Sequence, residues 1–305
     1  MRVRDGAGSE SPGVKALVII PSLSGDVGDL RALCSGLAEA GLPAVILPTG
    51  RALEEQLKGT DLPWFRIGRN PGFGAAVRFA VERRPALEWI GICNDDVVVS
   101  AEALGSIVQR IERGKEDSEL IYFDPAPPRP FPGPIDVFTS IALLDRFRRR
   151  IPAARPAECS VLGRTHYRPF SFVMIASSLW DRLGGMDPLL VYTYEDADFA
   201  RRAANASVRA AFLKCDAIRH NASTTSRAHI REVLPVSTVS SLAYLQKYGC
   251  PRLFGKSLLV LALTIRILVV PFASASTADH LVGIGRALRA VVFGGTVALP
   301  SYQEN

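Results

Sequence analysis

Between residues 14 and 96 the chain alternates short, continuous apolar runs with segments of helical spacing, and this alternation most narrows what it can fold into. "VKALVIIPS" is apolar throughout and stops at Pro21 and Ser22, the pattern of a strand buried on both faces. "DVGDLRALCSGLAEAGL" follows with apolar residues at helical spacing, Asp at its start and Gly41 at its end. "PAVILPTG" is a second strand closed by turn residues. The next unit reads "PWFRIGR" as a strand, "NPGFGAAVRFAVERRP" as a glycine turn feeding a helix, and "LEWIGICNDD" as another strand. Strands and helices in this order build a mostly parallel sheet flanked by helices, and such α/β sheets bind ligands at the carboxyl ends of their strands.

Further along, residues 100–113 pattern as a helix, and "DPAPPRPFPGP" is too rich in proline to be helix or strand. The signal is weak over 136–170, where "LLDRFRRR" is basic. "YRPFSFVMIAS" reads as a strand and "SSLWDRLGGM" as a short helix capped by Ser177 or Ser178. "EDADFARRAAN" opens a helix with acids in its first turn, and "VRAAFLKCDAIRH" reads as a last strand ending at His220. After residue 235 the character changes. "SLLVLALTIRILVVPFA" is strongly apolar but interrupted by Arg266 and Pro271, which argues against a single-pass span. Arg286 and Arg289 share a helical face in "LVGIGRALRAVVFGG". The expected organisation is a loose leader over 1–13, a catalytic domain over 14–235 and a helical, apolar extension over 236–305. Residues 251–295 either touch a membrane surface or pack on the domain.

With 48% apolar and 22% charged residues the chain is globular in composition. Its net charge of +6 favours anionic partners. No nucleic-acid module or interleaved aromatic pattern accompanies that charge, so nucleic acid is not an expected partner. Five scattered cysteines without CxxC spacing suggest neither a disulfide framework nor a zinc site. The polar start "MRVRDGAGSESPG" lacks an apolar signal-peptide core, so a cytoplasmic location is expected and the sequons at Asn205 and Asn221 carry little weight.

Three segments carry chemistry. Asn94, Asp95 and Asp96 follow a buried strand, where adjacent carboxylates repel unless they are hydrated or paired. A hard divalent cation takes one or two carboxylates and leaves its other positions to phosphate oxygens. "RNPGFGAA" places Gly72 and Gly74 before a helix N-terminus, which suits phosphate or ribose oxygens. It lacks both the GxGxxG and GxxxxGK[ST] patterns, so a dinucleotide site and a P-loop are disfavoured. Glu195, Asp196 and Asp198 crowd a helix start, where a carboxylate can deprotonate an acceptor hydroxyl. His220, at a strand end, reads equally as a metal ligand and as a structural residue.

Taken together, "RNPGFGAAVRFAV", "WIGICNDDVVVS", "GGMDPLLVYTYEDADFARRA" and "IRHNAST" resemble the family 2 glycosyltransferases of GT-A fold, and more narrowly their rhamnosyltransferase-like or galactofuranosyltransferase-like members, over about residues 14 to 230. The resemblance implies inverting transfer from a nucleotide-diphosphate sugar, such as dTDP-rhamnose or a UDP-sugar, to a cell-envelope glycan or lipid-linked glycan at the inner face of the membrane, with Mg²⁺ or Mn²⁺. It implies metal binding by Asp96 and His220, donor contacts from Pro21, Ser22, Asn70, Gly72, Phe73, Gly74, Asn94 and Asp95, and a general base at Asp196 first and Glu195 second. "IIPSLSGD" and "ILPTG" stand where the family has Tyr-Asn and Asp-x-x-Ser motifs, which shifts nucleobase contacts to Ser22 or Thr49. The alternative is a non-catalytic nucleotide-sugar-binding or scaffold protein on the same fold.

Overall fold

The computed structural model describes residues 15–83, 86–99, 109, 111, 118–123, 127–145, 159–213, 218–220, 229–273, 276–294, 297 and 299. The expected leader, nearly all of the expected helix over 100–113, most of the basic stretch at 143–150 and the Asn221 sequon lie outside the described residues. The described strands are β1 (Ala16–Ser22), β2 (Ala44–Pro48), β3 (Trp89–Cys93), β4 (Val97–Val99), β5 (Leu120–Phe123), β6 (Arg129–Pro130), β7 (Cys159–Val161), β8 (His166–Tyr167), β9 (Phe172–Ala176), β10 (Arg209–Leu213) and β11 (Ile218–His220). Seven of them form one sheet in the order β2-β1-β3-β9-β5-β10-β7. Pairing is parallel for β1 with β2 and β3 and for β5 with β10, and antiparallel for β9 with β3 and β5 and for β7 with β10. Five strands therefore run one way and only β7 and β9 run against them, so the sheet is mostly parallel.

The fully apolar runs are apolar because both faces of the sheet are covered. Every residue of β1 is buried, and its side chains alternate between two cores. Ala16, Val18 and Ile20 pack with Leu30, Leu33 and Leu37 of helix α1 (Val27–Glu39). Leu17 and Ile19 pack with Ala76, Val77 and Ala80 of the Phe73–Val81 helix on the other face. Asp26 starts α1 as read from the sequence, its carboxylate accepting the Gly28 and Asp29 N–H groups. A short α2 (Arg51–Leu57), which lacks a distinct sequence signal, precedes α3 (Phe73–Val81).

Several expectations need correction. "PWFRIGR" makes only an isolated bridge from Trp64 to Ile46 and is not a strand. The helix after β9, which follows α4 (Pro134–Ile141), is α5 (Ser177–Leu183); its N-cap is Ala176 and no side chain caps it. "VRAAFLKCDAIRH" forms two strands in two sheets, because β10 joins the main sheet whereas β11 pairs antiparallel with β4. The helix read at Glu195 is α6 (Glu195–Asn205).

The C-terminal helices are α7 (Ile230–Lys247), α8 (Arg252–Ala273) and α9 (Thr277–Phe293). Residues 235 and 236 both lie inside α7. Leu259, Leu263 and Val270 of α8 share a core with Ile141 of α4, Leu234 of α7 and Ile284 of α9. Helix α8 continues through Arg266 to Pro271 and, by length and composition alone, Arg252–Phe272 is long enough and apolar enough to cross a membrane. Arg266 is nevertheless buried. Its guanidinium donates to the Ile141 carbonyl at the C-terminal end of α4 (2.8 Å) and to His280 Nδ1 of α9 (3.1 Å). Burial lowers the Arg266 pKa to about 10, so it remains charged at neutral pH, and the electronegative end of α4 suits that charge.

A second buried charge fastens these helices to the sheet domain. Asp198 of α6 is fully buried and accepts from Arg202 Nε (2.8 Å) and the Tyr248 hydroxyl (2.7 Å), with Lys247 Nζ at 2.6 Å. Arg202 also donates to the carbonyls of Leu183 and Gly185. Removing one partner of such a network strands the others. Asp198→Ala is expected to lower stability by about 3–5 kcal/mol, read as a fall in the urea midpoint.

Candidate active site

A cleft of about 430 Å³ opens at the carboxyl ends of β1, β2 and β3. Pro21, Thr49, Asn94, Asp95 and Asp96 line it from the strand ends, Asn70, Gly72 and Phe73 from the turn into α3, and Glu195 and Asp196 from the start of α6. Segments a hundred residues apart in sequence thus share one cavity. At the end of β3 the Asn94 N–H donates to the Ser171 carbonyl (2.9 Å), so the neighbouring antiparallel strand sets where the acidic turn leaves the sheet. Asp95 accepts a hydrogen bond from the Ser22 hydroxyl, which itself accepts the Gly25 N–H (3.0 Å). The Thr49 hydroxyl donates to the Ser22 carbonyl (3.1 Å), linking the ends of β1 and β2.

Glu195 and Asp196 are adjacent carboxyl groups at the start of α6. Both open onto the cleft, yet the surrounding protein withholds most of the hydration that a charged carboxylate needs. That desolvation, with the Asp196 charge beside it, pushes Glu195 up to about 8, and desolvation also raises Asp196. Asp196 accepts backbone N–H groups from Ala197 (2.6 Å) and Phe170 (3.4 Å), which favour its ionised form. Glu195 Oε2 is buried and accepts no hydrogen bond. Backbone donors thus favour an ionised Asp196, while burial and the neighbouring charge favour a protonated Glu195.

The approach to this pair is strained. Thr193 and Tyr194 both adopt the left-handed region (φ 69° and 68°), without a glycine, just before α6. A β-branched residue there is an outlier that surrounding contacts must hold. Helix α7 supplies them: Ser237 Oγ lies 3.1 Å from Thr193 Oγ1, Ser240 Oγ accepts the Tyr192 N–H (3.2 Å), and Tyr244 stacks on Tyr194 at 5.0 Å. Tyr192, Thr193, Tyr194 and Ser237 line the cleft, as do Arg129 and Tyr167 from the antiparallel pair of β6 and β8. Beyond their closeness to Glu195, nothing local in the sequence points to these residues, because two paired strands of two residues each and a helix forty residues away have no local signature.

No family model matches the chain, and no curated protein matches it. Among solved structures it is similar to Staphylococcus aureus TarS. The crystal structure of TarS 1-349 is 16% identical with a TM-score of 0.47, covering 91% of this chain and 90% of that chain. The same fragment in complex with UDP gives the same values. A longer TarS structure is 15% identical, covering 91% of this chain and 55% of that one. At these values the similarity bears no weight on chemistry, which rests on this chain's own residues.

Pro21, Asn70, Gly72, Phe73, Asn94, Asp95, Asp96, Glu195 and Asp196 are brought together as read from the sequence. Two expected donor contacts are not. Ser22 is buried at 2% exposure beneath Asp95, so it orients a carboxylate and does not face the cleft. Gly74 is buried against Met186 and Glu195: a Cβ there would sit 3.1 Å from the Met186 Cβ and 3.8 Å from that of Glu195. Gly72, although it lines the cleft, is required by the protein's own packing, since φ is 91° and a Cβ would lie 2.1 Å from the Val191 carbonyl oxygen. The His220 backbone is in register with Val97, next to Asp96. Among the described residues no three His, Cys, Asp or Glu side chains gather as a metal-binding group. Asp95 and Asp96 nonetheless fit a hard cation that takes its remaining ligands from a bound diphosphate and water.

The raised carboxyl pKa gives a stability signature. The folded state holds a proton that the unfolded chain releases near pH 4.5, so the contribution of Glu195 to stability is fully present below about pH 4.5 and is lost as pH rises through about 8. Glu195→Gln is expected to flatten that decline, measured as urea midpoints across pH 4.5 to 8.

Proposed function

We propose that the protein is a glycosyltransferase that moves a sugar from a nucleotide-diphosphate donor to an acceptor hydroxyl with inversion at the anomeric carbon. The observation that carries this reading is the single cleft that joins the acidic turn after β3 to the carboxyl pair at the start of α6. The strand ends and the turn into α3 take the nucleotide, with Pro21, Thr49, Asn70, Gly72, Phe73 and Asn94 around it. Asp95 and Asp96 face the diphosphate. Mg²⁺ or Mn²⁺, held by Asp96 with Asp95 beside it, would supply positive charge against the leaving diphosphate.

The pair at α6 does the proton work. Asp196 accepts the acceptor's hydroxyl proton as that oxygen bonds to the anomeric carbon, and the bond from that carbon to the diphosphate oxygen breaks with its electron pair. Protonated Glu195 keeps the site from carrying two adjacent charges before the acceptor arrives. Tyr167, Tyr192 and Tyr194 line the acceptor side with aromatic faces and hydroxyls, which suits a sugar ring. The proposed donor is dTDP-rhamnose or a UDP-sugar, and the acceptor a cell-envelope glycan or lipid-linked glycan at the cytoplasmic membrane face.

Thermal-shift screening of nucleotide sugars with and without Mn²⁺ is expected to identify a donor that raises the melting temperature by mass action. With that donor, Asp196→Asn is expected to lower nucleoside-diphosphate release by about 10²–10⁴-fold while keeping the donor-induced shift. Asp96→Ala is expected to lose both. Full turnover in both variants overturns the site, and binding without turnover across an acceptor panel gives the cleft to a non-catalytic binding protein.

A further inference from the structure

Helix α8 is apolar on every side, and such a helix is ordinarily buried all round or surrounded by lipid. Here it is neither. One face, with Leu259, Leu263, Arg266 and Val270, is packed against α4 and α9. The other is bare: Leu253, Phe254, Leu261, Ile267, Leu268 and Phe272 are exposed, Leu268 at 69% and Phe272 at 91%. These six fall within an arc of about 140° at helical pitch, so they form one stripe. On α9 the exposed face adds Leu281, Val282, Val292 and Phe293. Of the fourteen exposed large apolar side chains among the described residues, these two helices hold ten, which is a patch and not scatter.

The charge beside the patch is one-sided. Residues 251–294 contain five Lys or Arg, of which Arg266 is buried and Arg286 pairs with Glu232 at 3.7 Å, and a single acid, Asp279, which sits 3.5 Å from Arg231. The Lys256 amine donates to the Val292 carbonyl (3.2 Å), so the start of α8 lies beside the end of α9. Arg252, Lys256 and Arg289 therefore gather at the end that carries Phe254 and Phe293. Leu299, which lines the cleft, follows Phe293 by six residues, a reach of at most about 22 Å of extended chain.

We infer that the exposed faces of α8 and α9 form a docking surface for an anionic lipid membrane, on which α8 lies in the interface plane and does not cross it. Exposed leucine and phenylalanine enter the acyl boundary while the flanking Arg and Lys side chains reach anionic headgroups. Crossing would require stripping the packed face from α4 and leaving Arg266 without the Ile141 carbonyl and His280. A second copy of the chain is the poorer occupant, because a symmetric pairing of this face sets like charges against each other. The surface would hold the cleft within reach of an acceptor at the bilayer, but docking is independent of the transfer chemistry.

The test is co-sedimentation of the full chain with vesicles of phosphatidylcholine alone and with vesicles containing one third phosphatidylglycerol. Binding at least tenfold tighter to the anionic vesicles is expected, with release by alkaline carbonate. The double substitution Leu268→Glu and Phe272→Glu, both at exposed positions, is expected to weaken binding at least tenfold with the melting temperature and any donor-induced shift unchanged. Equal binding to both vesicle types, undiminished binding by the double variant, or retention after carbonate extraction overturns the inference. So does a concentration-dependent dimer, seen by sedimentation velocity, that the double variant dissolves while vesicles bind nothing. The assay reads no sugar transfer, so its failure leaves the proposed activity standing and a failure of the activity leaves docking standing.

Discussion

One fully buried carboxylate, Asp198, holds the parts of the molecule in register. It lies one turn into α6, with Arg202 of the same helix, and Lys247 and Tyr248 from the end of α7, converging on its two oxygens. Arg202 extends the network to the carbonyls of the turn after α5, and Lys247 extends it to Asp187. A buried ion that is paired and hydrogen-bonded at every oxygen fixes geometry more than it adds stability, because its desolvation cost cancels most of the attraction. What it fixes is the start of α6, two residues upstream, where the carboxyl pair faces the cleft. It also fixes α7, which braces the loop in front of that pair.

The carboxyl pair owes its chemistry to that bracing. Two acids in the first turn of an exposed helix would be ordinary, hydrated and fully charged. Enclosed by the paired strands β6 and β8, the turn into α3 and α7, the pair loses hydration and Glu195 is pushed up to about 8. The left-handed backbone at Thr193 and Tyr194 belongs to the same arrangement. Strain at two consecutive non-glycine residues persists only because Ser237, Ser240 and Tyr244 over-determine their positions. The C-terminal helices are thus part of the cleft's wall on one side and, through α8 and α9, an apolar surface on the other.

What the sequence determined by itself follows from local physics. Continuous apolar runs meant strands covered on both faces, and Val18 and Ile19 do point into different cores. Asp26 caps α1, and the "EDADFARRAAN" helix begins and ends where its acids and spacing put it. The acidic turn after β3 sits at the sheet's carboxyl edge, as the close of a parallel strand must, whereas the nearness of Glu195 and Asp196 to it was implied by the resemblance of the segments and not by local spacing.

Strand direction came from long-range packing, and with it the seat of Ser22, Gly74 and the cleft's far side. An apolar run looks the same whichever way it runs, so the antiparallel placement of β9 beside β3 could not be read locally. A serine at a strand end can face a ligand or a carboxylate, and it is Asp95, seventy-three residues away, that claims Ser22. The two faces of α8 were likewise indistinguishable in sequence, since both are apolar; which one is covered depends on where α4 ends and α9 returns, and Arg266 marks that face because a buried guanidinium must find acceptors there.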